Sequence, residues 1–295
     1  MSVIVLDQTQ LSVVLADLSS YRPRSMMMEQ MISNTLSERC AWPGIEYVVD
    51  NFPGWSVCIC RPDGSPASVS RCTDYTVSVF SKTPEALERF LDAPGVVRWD
   101  RPVDFFAMQK TDEYDVIRRK CLAINPVLQY DKPANSDVYI LELDKISTIP
   151  LPAGLRLGEL GPQHEQYVRT KWPWGFKTGV KQFLEYVLEP SNGFPNSAIF
   201  DRDRPVAHIL YTADGSIGLG LVDPDYRGKG LYQIVLYDIT KKILNVIRQR
   251  VVYGYVFAGN VASARCFERM GGTKLPFLVD WLTSSPAVIH SEQGQ

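Results

Sequence analysis

The stretch Asp223-Pro224-Asp225-Tyr226-Arg227-Gly228-Lys229-Gly230-Leu231-Tyr232 constrains this chain more than any other. The apolar run 216–222 before it reads as a strand. After it, Leu231, Ile234, Val235, Ile239, Ile243, Val246 and Ile247 recur at spacings of three and four, the pattern of an amphipathic helix. A strand, a basic glycine-rich turn and a helix together present backbone N–H groups and the positive end of a helix dipole to a phosphate. Gly228 and Gly230 permit positive φ and close approach, while Arg227 and Lys229 add charge. The spacing is neither GxxxxGK[ST] nor GxGxxG, which excludes a Walker loop and a dinucleotide fingerprint.

The chain has 295 residues, enough for two ordinary domains. With 45% hydrophobic and 22% charged residues it reads as globular, and its net charge of −2 is spread without a basic tract. Nothing electrostatic recommends nucleic acid or a membrane surface. Cys40, Cys58, Cys60, Cys72, Cys121 and Cys266 form no CxxC pair, and His164, His208 and His290 are the only histidines. A Cys/His metal site is therefore not expected, and a reducing compartment is. No apolar run reaches the roughly eighteen residues of a membrane span, and the N-terminus lacks a basic signal region. The expectation is an intracellular protein, cytoplasmic or mitochondrial.

In the first half, helical spacing covers Leu11, Val14, Leu15 and Leu18, and Ser25 is placed to cap a second helix. Strands are expected at 55–60 and 75–80, with Cys58 and Cys60 on one face. Thr83-Pro84-Glu85 opens a helix through Phe90 and Leu91, another passes through Tyr114 and Leu122, and a strand follows at 138–143. Two prolines and a glycine within 147–154 place the domain boundary there, giving 1–150 and 151–295. The second half reads strand 155–160, helix 163–170, an aromatic loop 171–175 and helix 180–188. Strands 197–200, 206–211 and 216–222 follow, then the loop and its helix, strand 251–257, helix 260–270 and strand 275–282.

The loop resembles the Arg/Gln-x-x-Gly-x-Gly/Ala motif of the GNAT N-acyltransferases, which binds the pyrophosphate of coenzyme A, and the β-α-α-β-β-β-α-β-α-β order is that of their mixed α/β fold. Arg227 and Gly230 match the motif, and Tyr232 stands at its final small residue. That tyrosine either crowds the phosphates or points aside while its N–H serves. A second GNAT signature is matched by Asn260, Ser263 and Gly271, with Phe267 where many members carry a tyrosine that protonates the departing thiolate. Phe267 has no proton to give, so water or another tyrosine such as Tyr253 or Tyr255 must serve if an acid is needed. The resemblance implies phosphate and pantetheine contacts from Arg227, Gly228, Lys229, Gly230, Leu231, Tyr232, Asn260 and Ser263. It also implies amides at Leu221 and Val222 aimed at the pantetheine and the thioester oxygen, a donor worth roughly 3 kcal/mol to an oxyanion. Gly218, Gly220 and Gly254 mark either this close approach or a twisted turn. The first half carries no such loop, so it is expected to be at most a degenerate copy that does not hold coenzyme A.

The whole chain is similar to the glycine N-acyltransferase family, through Val48-Val49-Asp50-Asn51-Phe52-Pro53-Gly54-Trp55, Tyr75-Thr76-Val77-Ser78-Val79-Phe80-Ser81-Lys82 and Asp223-Pro224-Asp225-Tyr226-Arg227. The family's activity implies acyl transfer from acyl-CoA to the amino nitrogen of glycine or another small amine, with no metal. A free ammonium is no nucleophile, so a base must take its proton. The family's proposed glutamate base corresponds to Asp225, a carboxylate one methylene shorter that equally suits stabilising the Pro224 turn or capping the phosphate loop. His208 is a second candidate base. The acceptor pocket of the fold lies under the loop between the first two helices, which points to Trp172, Trp174, Phe183 and Tyr186; the same aromatics equally suit burial of that loop. Transfer to a protein or polyamine amine, and a silent acyl-CoA-binding module, are the alternatives.

Overall fold

The computed structural model describes residues 2–68, 75–124, 135–142, 146–177 and 179–286. Cys72 and His290, and the end of the strand expected at 138–143, lie outside the described residues. The first half runs β1 (Ile4–Val5), α1 (Gln8–Leu18), α2 (Met26–Ser37), β2 (Ile45–Val49), β3 (Val57–Pro62), β4 (Thr76–Ser81), α3 (Pro84–Leu91), β5 (Val103–Gln109), α4 (Asp112–Ile124) and β6 (Ser136–Leu141). The second half repeats the order: β7 (Leu155–Gly158), α5 (Glu165–Lys171), α6 (Val180–Leu188), β8 (Asn196–Asp201), β9 (Arg204–Tyr211), β10 (Ser216–Val222), α7 (Leu231–Lys242), β11 (Val252–Phe257), α8 (Val261–Arg269) and β12 (Thr273–Ser284). Each half is thus one β-α-α-β-β-β-α-β-α-β unit, and the first is a GNAT-like copy of the second.

The twelve strands of the described residues join one sheet in the order β1-β2-β3-β4-β5-β12-β6-β11-β10-β9-β8-β7. Exchanging the halves reverses this order onto itself, so the two units are related by a pseudo-twofold at the centre. Each unit gives its last strand to the other: β6 pairs with β11, and β12 pairs with β5. The two exchanged strands meet each other in antiparallel register. The other neighbouring pairs are antiparallel except β4–β5 and β10–β11, one parallel pair per unit.

Local chemistry explains most boundaries. Thr83 accepts from the Ala86 amide at 3.2 Å with Pro84 at the first helical position, so α3 starts where the sequence predicts. Asp7 and Gln10 form a reciprocal capping box on α1. Ser25 does not cap α2: its hydroxyl lies 2.7 Å from the Leu18 carbonyl and 2.5 Å from Glu29. Strand β5 was not expected. Its Val-Asp-Phe-Phe-Ala-Met sequence is apolar on both faces and breaks at Ala107, where φ is +48°, so no clean alternation announces it. The helix after the phosphate loop ends at Lys242 and gives way to a wider π turn, Ile243–Ile247, that leaves Val246 exposed.

Cores cross the midline as well as the strands. Trp42, from the first half, packs among Phe183, Tyr186 and Phe194 of the second, with ring centroids 5.7, 5.2 and 6.2 Å away. On α2, the Asn34 amide donates to Tyr211 on β9 at 3.0 Å. As expected, Cys58 and Cys60 share a buried face of β3, while Ile59 faces a different core.

Candidate active site

Strands β10 and β11 run parallel but pair at only two positions, Ser216 with Tyr253 and Ile217 with Gly254. Beyond these the ladder stops although both strands continue. The divergence begins at a bulge in β10, where register against β9 shifts between Gly218 and Leu221 and Leu219 takes φ +53°. A bulge bends its strand and increases local twist, which turns β10 away from β11. The result is a V-shaped gap with unpaired strand edges on both sides.

At the wide end stands the glycine-rich loop. A 3-10 turn, Pro224–Tyr226, follows β10, capped by Asp223, whose carboxylate accepts from the Asp225 amide at 3.3 Å. Asp223 also pairs with Arg204 at 2.8 Å. Gly228 and Gly230 have φ +77° and +73°, in the region where a side chain is strained. Helix α7 then begins at Gly230 with no side-chain cap, unlike α1, α3 and α8, each of which is capped by its own Asp, Thr or Asn. Its first-turn amides and dipole therefore remain for an anion. Arg227, Gly228 and Lys229 are exposed around it, and the Lys229 ammonium lies 4.7 Å from the centroid of Tyr226. The segment before β7 crosses this loop, with Ile149 set against Gly230.

The α7/α8 side of the gap is built from side chains fitted to glycines. A Cβ on Gly254 would lie 3.0 Å from the Phe267 ring, and one on Gly220 would lie 2.6 Å from Tyr232 Cε2. Phe267 is buried among the core residues of α7 and β11. Tyr232 turns away from the phosphate loop and into the gap, its ring and hydroxyl set against Gly220, with Ser263 and Cys266 of α8 near its hydroxyl. Burial is the main influence pushing that phenol well above its ordinary range, and neighbouring Cys266 adds to it. Asn260 is a helix cap, its side chain accepting from the Ser263 amide at 3.2 Å.

The opposite face carries the remaining candidates. Trp172 and Trp174 contact each other at 5.9 Å, and Trp174 stacks on Phe257, the last residue of β11, at 4.8 Å. This aromatic row continues to Trp281 and Phe106. Phe183 and Tyr186 are not part of it; they pack on Trp42, and the Tyr186 hydroxyl donates to the Ala41 carbonyl at 3.0 Å. Tyr253 and Tyr255 donate to the carbonyl and carboxylate of Asp214, at the turn before β10. His208 pairs with Leu221 across the strands and is fully buried, its Nδ1 without a hydrogen-bond partner. Burial, and secondarily His164, holds its pKa down at about 4, so the imidazole is neutral. Asp225 is exposed, and the turn it was expected to serve is capped by Asp223 instead.

The first half has the same divergence, bridged by its own chain, with Arg24, Ser81 and Gln109 lining a cavity between the two strands. Strands β4 and β5 pair only at Thr76–Asp104 and Val77–Phe105. Arg24 donates to the Ser81 carbonyl at 3.2 Å and pairs with Glu113 at 2.5 Å, while Gln109 donates back to the Arg24 carbonyl at 2.6 Å. No glycine loop precedes α3. Among the described residues there is no cluster of three metal-ligating side chains, and no helix long and apolar enough to cross a membrane.

Comparison with known proteins agrees with this geometry. Residues 199–282, from β8 to β12, match the model of the FR47-like protein family. A glycine N-acyltransferase of Bos taurus is 22% identical over 255 residues, covering 80% of this chain and 83% of that protein. A Drosophila protein of known structure superposes with a TM-score of 0.77 at 17% identity, covering 96% of this chain and 98% of that one. A tandem GNAT protein from the clavulanic acid biosynthesis pathway gives 0.50 at 14% identity over 96% of this chain and 98% of its own. The chain thus has a tandem GNAT acyltransferase fold, and glycine N-acyltransferases are among its distant relatives.

Proposed function

We propose that this GNAT-type acyltransferase moves an acyl group from acyl-CoA to the amino nitrogen of glycine or another small amine. The observation that carries the reading is the β10–β11 gap, opened by a bulge and ending at a helix whose only cap is a glycine at positive φ. A pantetheine arm is an extended chain of amides, and an unpaired strand edge is its natural partner. Arg227, Gly228, Lys229, Gly230 and the amides of Leu231 and Tyr232 are the proposed phosphate contacts. Leu221 and Val222 are the proposed donors toward the pantetheine and the thioester oxygen, where an amide stabilises the tetrahedral oxyanion. When bound, acyl-CoA supplies the activated carbonyl; the chain's residues orient it and manage protons.

The acceptor is proposed to approach from the Trp172–Trp174 side, over the half-buried aromatic row. Asp225 is the proposed base, since its carboxylate is exposed and the turn is capped without it. The fold-level relatives and the bovine enzyme support the class of reaction; the small amine rests on that distant similarity and on the aromatic, weakly charged approach. A silent acyl-CoA-binding module is favoured by one observation, Phe267 seated against Gly254 where a proton donor is absent.

The full-length protein, given acetyl-, benzoyl- and long-chain acyl-CoA with a panel of amino acids, is expected to release free thiol and an N-acyl product. Thermal stabilisation by coenzyme A without thiol release would instead establish the binding module.

A further inference from the structure

This inference rests on the transferase reading above and assigns one more residue to its chemistry. Acyl transfer from a thioester ends when the C–S bond breaks and the electron pair settles on sulfur. A fixed donor aimed at that sulfur lowers the barrier, because charge is growing there. Phe267 reaches the gap on Gly254 with a bare ring edge, and Tyr253 and Tyr255 are held by Asp214. Tyr232 is different. Its hydroxyl would lie 2.7 Å from a Cβ on Gly220, so only a glycine in β10 leaves room for it. Its neighbours there, Ser263 and Cys266, are on α8, four residues and one residue before Phe267. A phenol from α7 therefore reaches the flank of α8 whose next turn carries Phe267.

We propose that Tyr232 is a catalytic residue, its phenolic O–H donating a hydrogen bond to the coenzyme A sulfur as the thioester C–S bond breaks. The amine nitrogen forms the new C–N bond, and its proton leaves to the base or to water. The tetrahedral intermediate then collapses, the C–S electron pair moves to sulfur, and the thiolate departs hydrogen-bonded to Tyr232. The phenol keeps its proton. Burial makes it a far weaker acid than a thiol near pKa 8.5, so it donates a hydrogen bond rather than a proton, and it stays protonated across the neutral range.

The test uses full-length wild type, Tyr232→Phe, Phe267→Tyr and the double variant, with the acyl-CoA that wild type turns over fastest. Steady-state rates are measured beside calorimetric affinity for coenzyme A. Tyr232→Phe is expected to lower kcat about 10- to 100-fold while affinity changes less than about twofold. Adding Phe267→Tyr, which brings a hydroxyl to the gap from α8, is expected to restore at least about tenfold of that loss. Unchanged kcat in Tyr232→Phe overturns the proposal and leaves the transferase reading standing. A fall without rescue gives Tyr232 a packing role and also overturns it. Absence of thiol release by wild type with every acyl-CoA overturns the transferase reading itself, before any variant is compared.

Discussion

Three residues carry the residue-scale account, and each makes a separate claim. Asp225 is exposed on a turn capped by its neighbour, so replacing its carboxylate leaves the fold alone. Asp225→Asn is expected to lower turnover at least about tenfold with coenzyme A affinity intact; unchanged turnover would remove it from the mechanism. Gly230 combines φ +73° with contact from Ile149, so Gly230→Ala is strained by both backbone and neighbour. It is expected to weaken coenzyme A binding at least about tenfold, measured by calorimetry. His208 makes the pH claim. Its folded pKa of about 4 lies below the ordinary 6.5, so between these values the unfolded chain binds the extra proton. Its contribution is complete above pH 6.5 and is lost as pH falls toward 4, up to about 3 kcal/mol. Urea unfolding of wild type at pH 7.5 and pH 4.5 should show that loss, and His208→Gln should show a shallower one.

At the scale of elements, what the sequence reveals depends on where each signal resides. The loop, its strand and the start of its helix were legible because glycine, charge and periodicity coincide within seventeen residues, 216–232. The α3 start was legible because Thr83 and Pro84 act within one turn. Strand β5 was not, since both of its faces are buried by partners distant in sequence, and apolarity on two faces erases the period. Phe183 and Tyr186 suited a pocket wall and burial equally in sequence, because nothing local announces Trp42, which comes from the other half to pack on them. Tyr232 allowed two readings, crowding the phosphates or pointing aside; Gly220, twelve residues upstream, leaves room for the second. Asn260 shows how one residue serves two readings. As a cap on α8 its loss is expected to cost about 1 kcal/mol in Asn260→Ala and little in Asn260→Asp, measured by denaturant unfolding. A coenzyme A contact would add a loss of affinity common to both variants.

At the scale of the whole molecule, the exchanged strands make the two repeats one structure. A cut at position 150 leaves β6 with the first half while its partners β11 and β12 stay with the second. Residues 151–295 alone would expose the edge of β11 beside the proposed site, and unpaired edges aggregate. The full chain is expected to unfold in a single transition by circular dichroism and fluorescence together; two separated transitions would contradict this coupling. The duplication also divides the labour. Arg24 bridges the two strands of the first gap, whereas the second opens onto an uncapped helix. One coenzyme A site per chain is the expectation, and the measurement that tests the central claim most directly is thiol release from acyl-CoA by the purified full-length protein. The account predicts thiol and N-acyl product in equal amounts in the presence of a small amine, with one coenzyme A bound per chain. Neither thiol release nor any stabilisation of the protein by coenzyme A would contradict it.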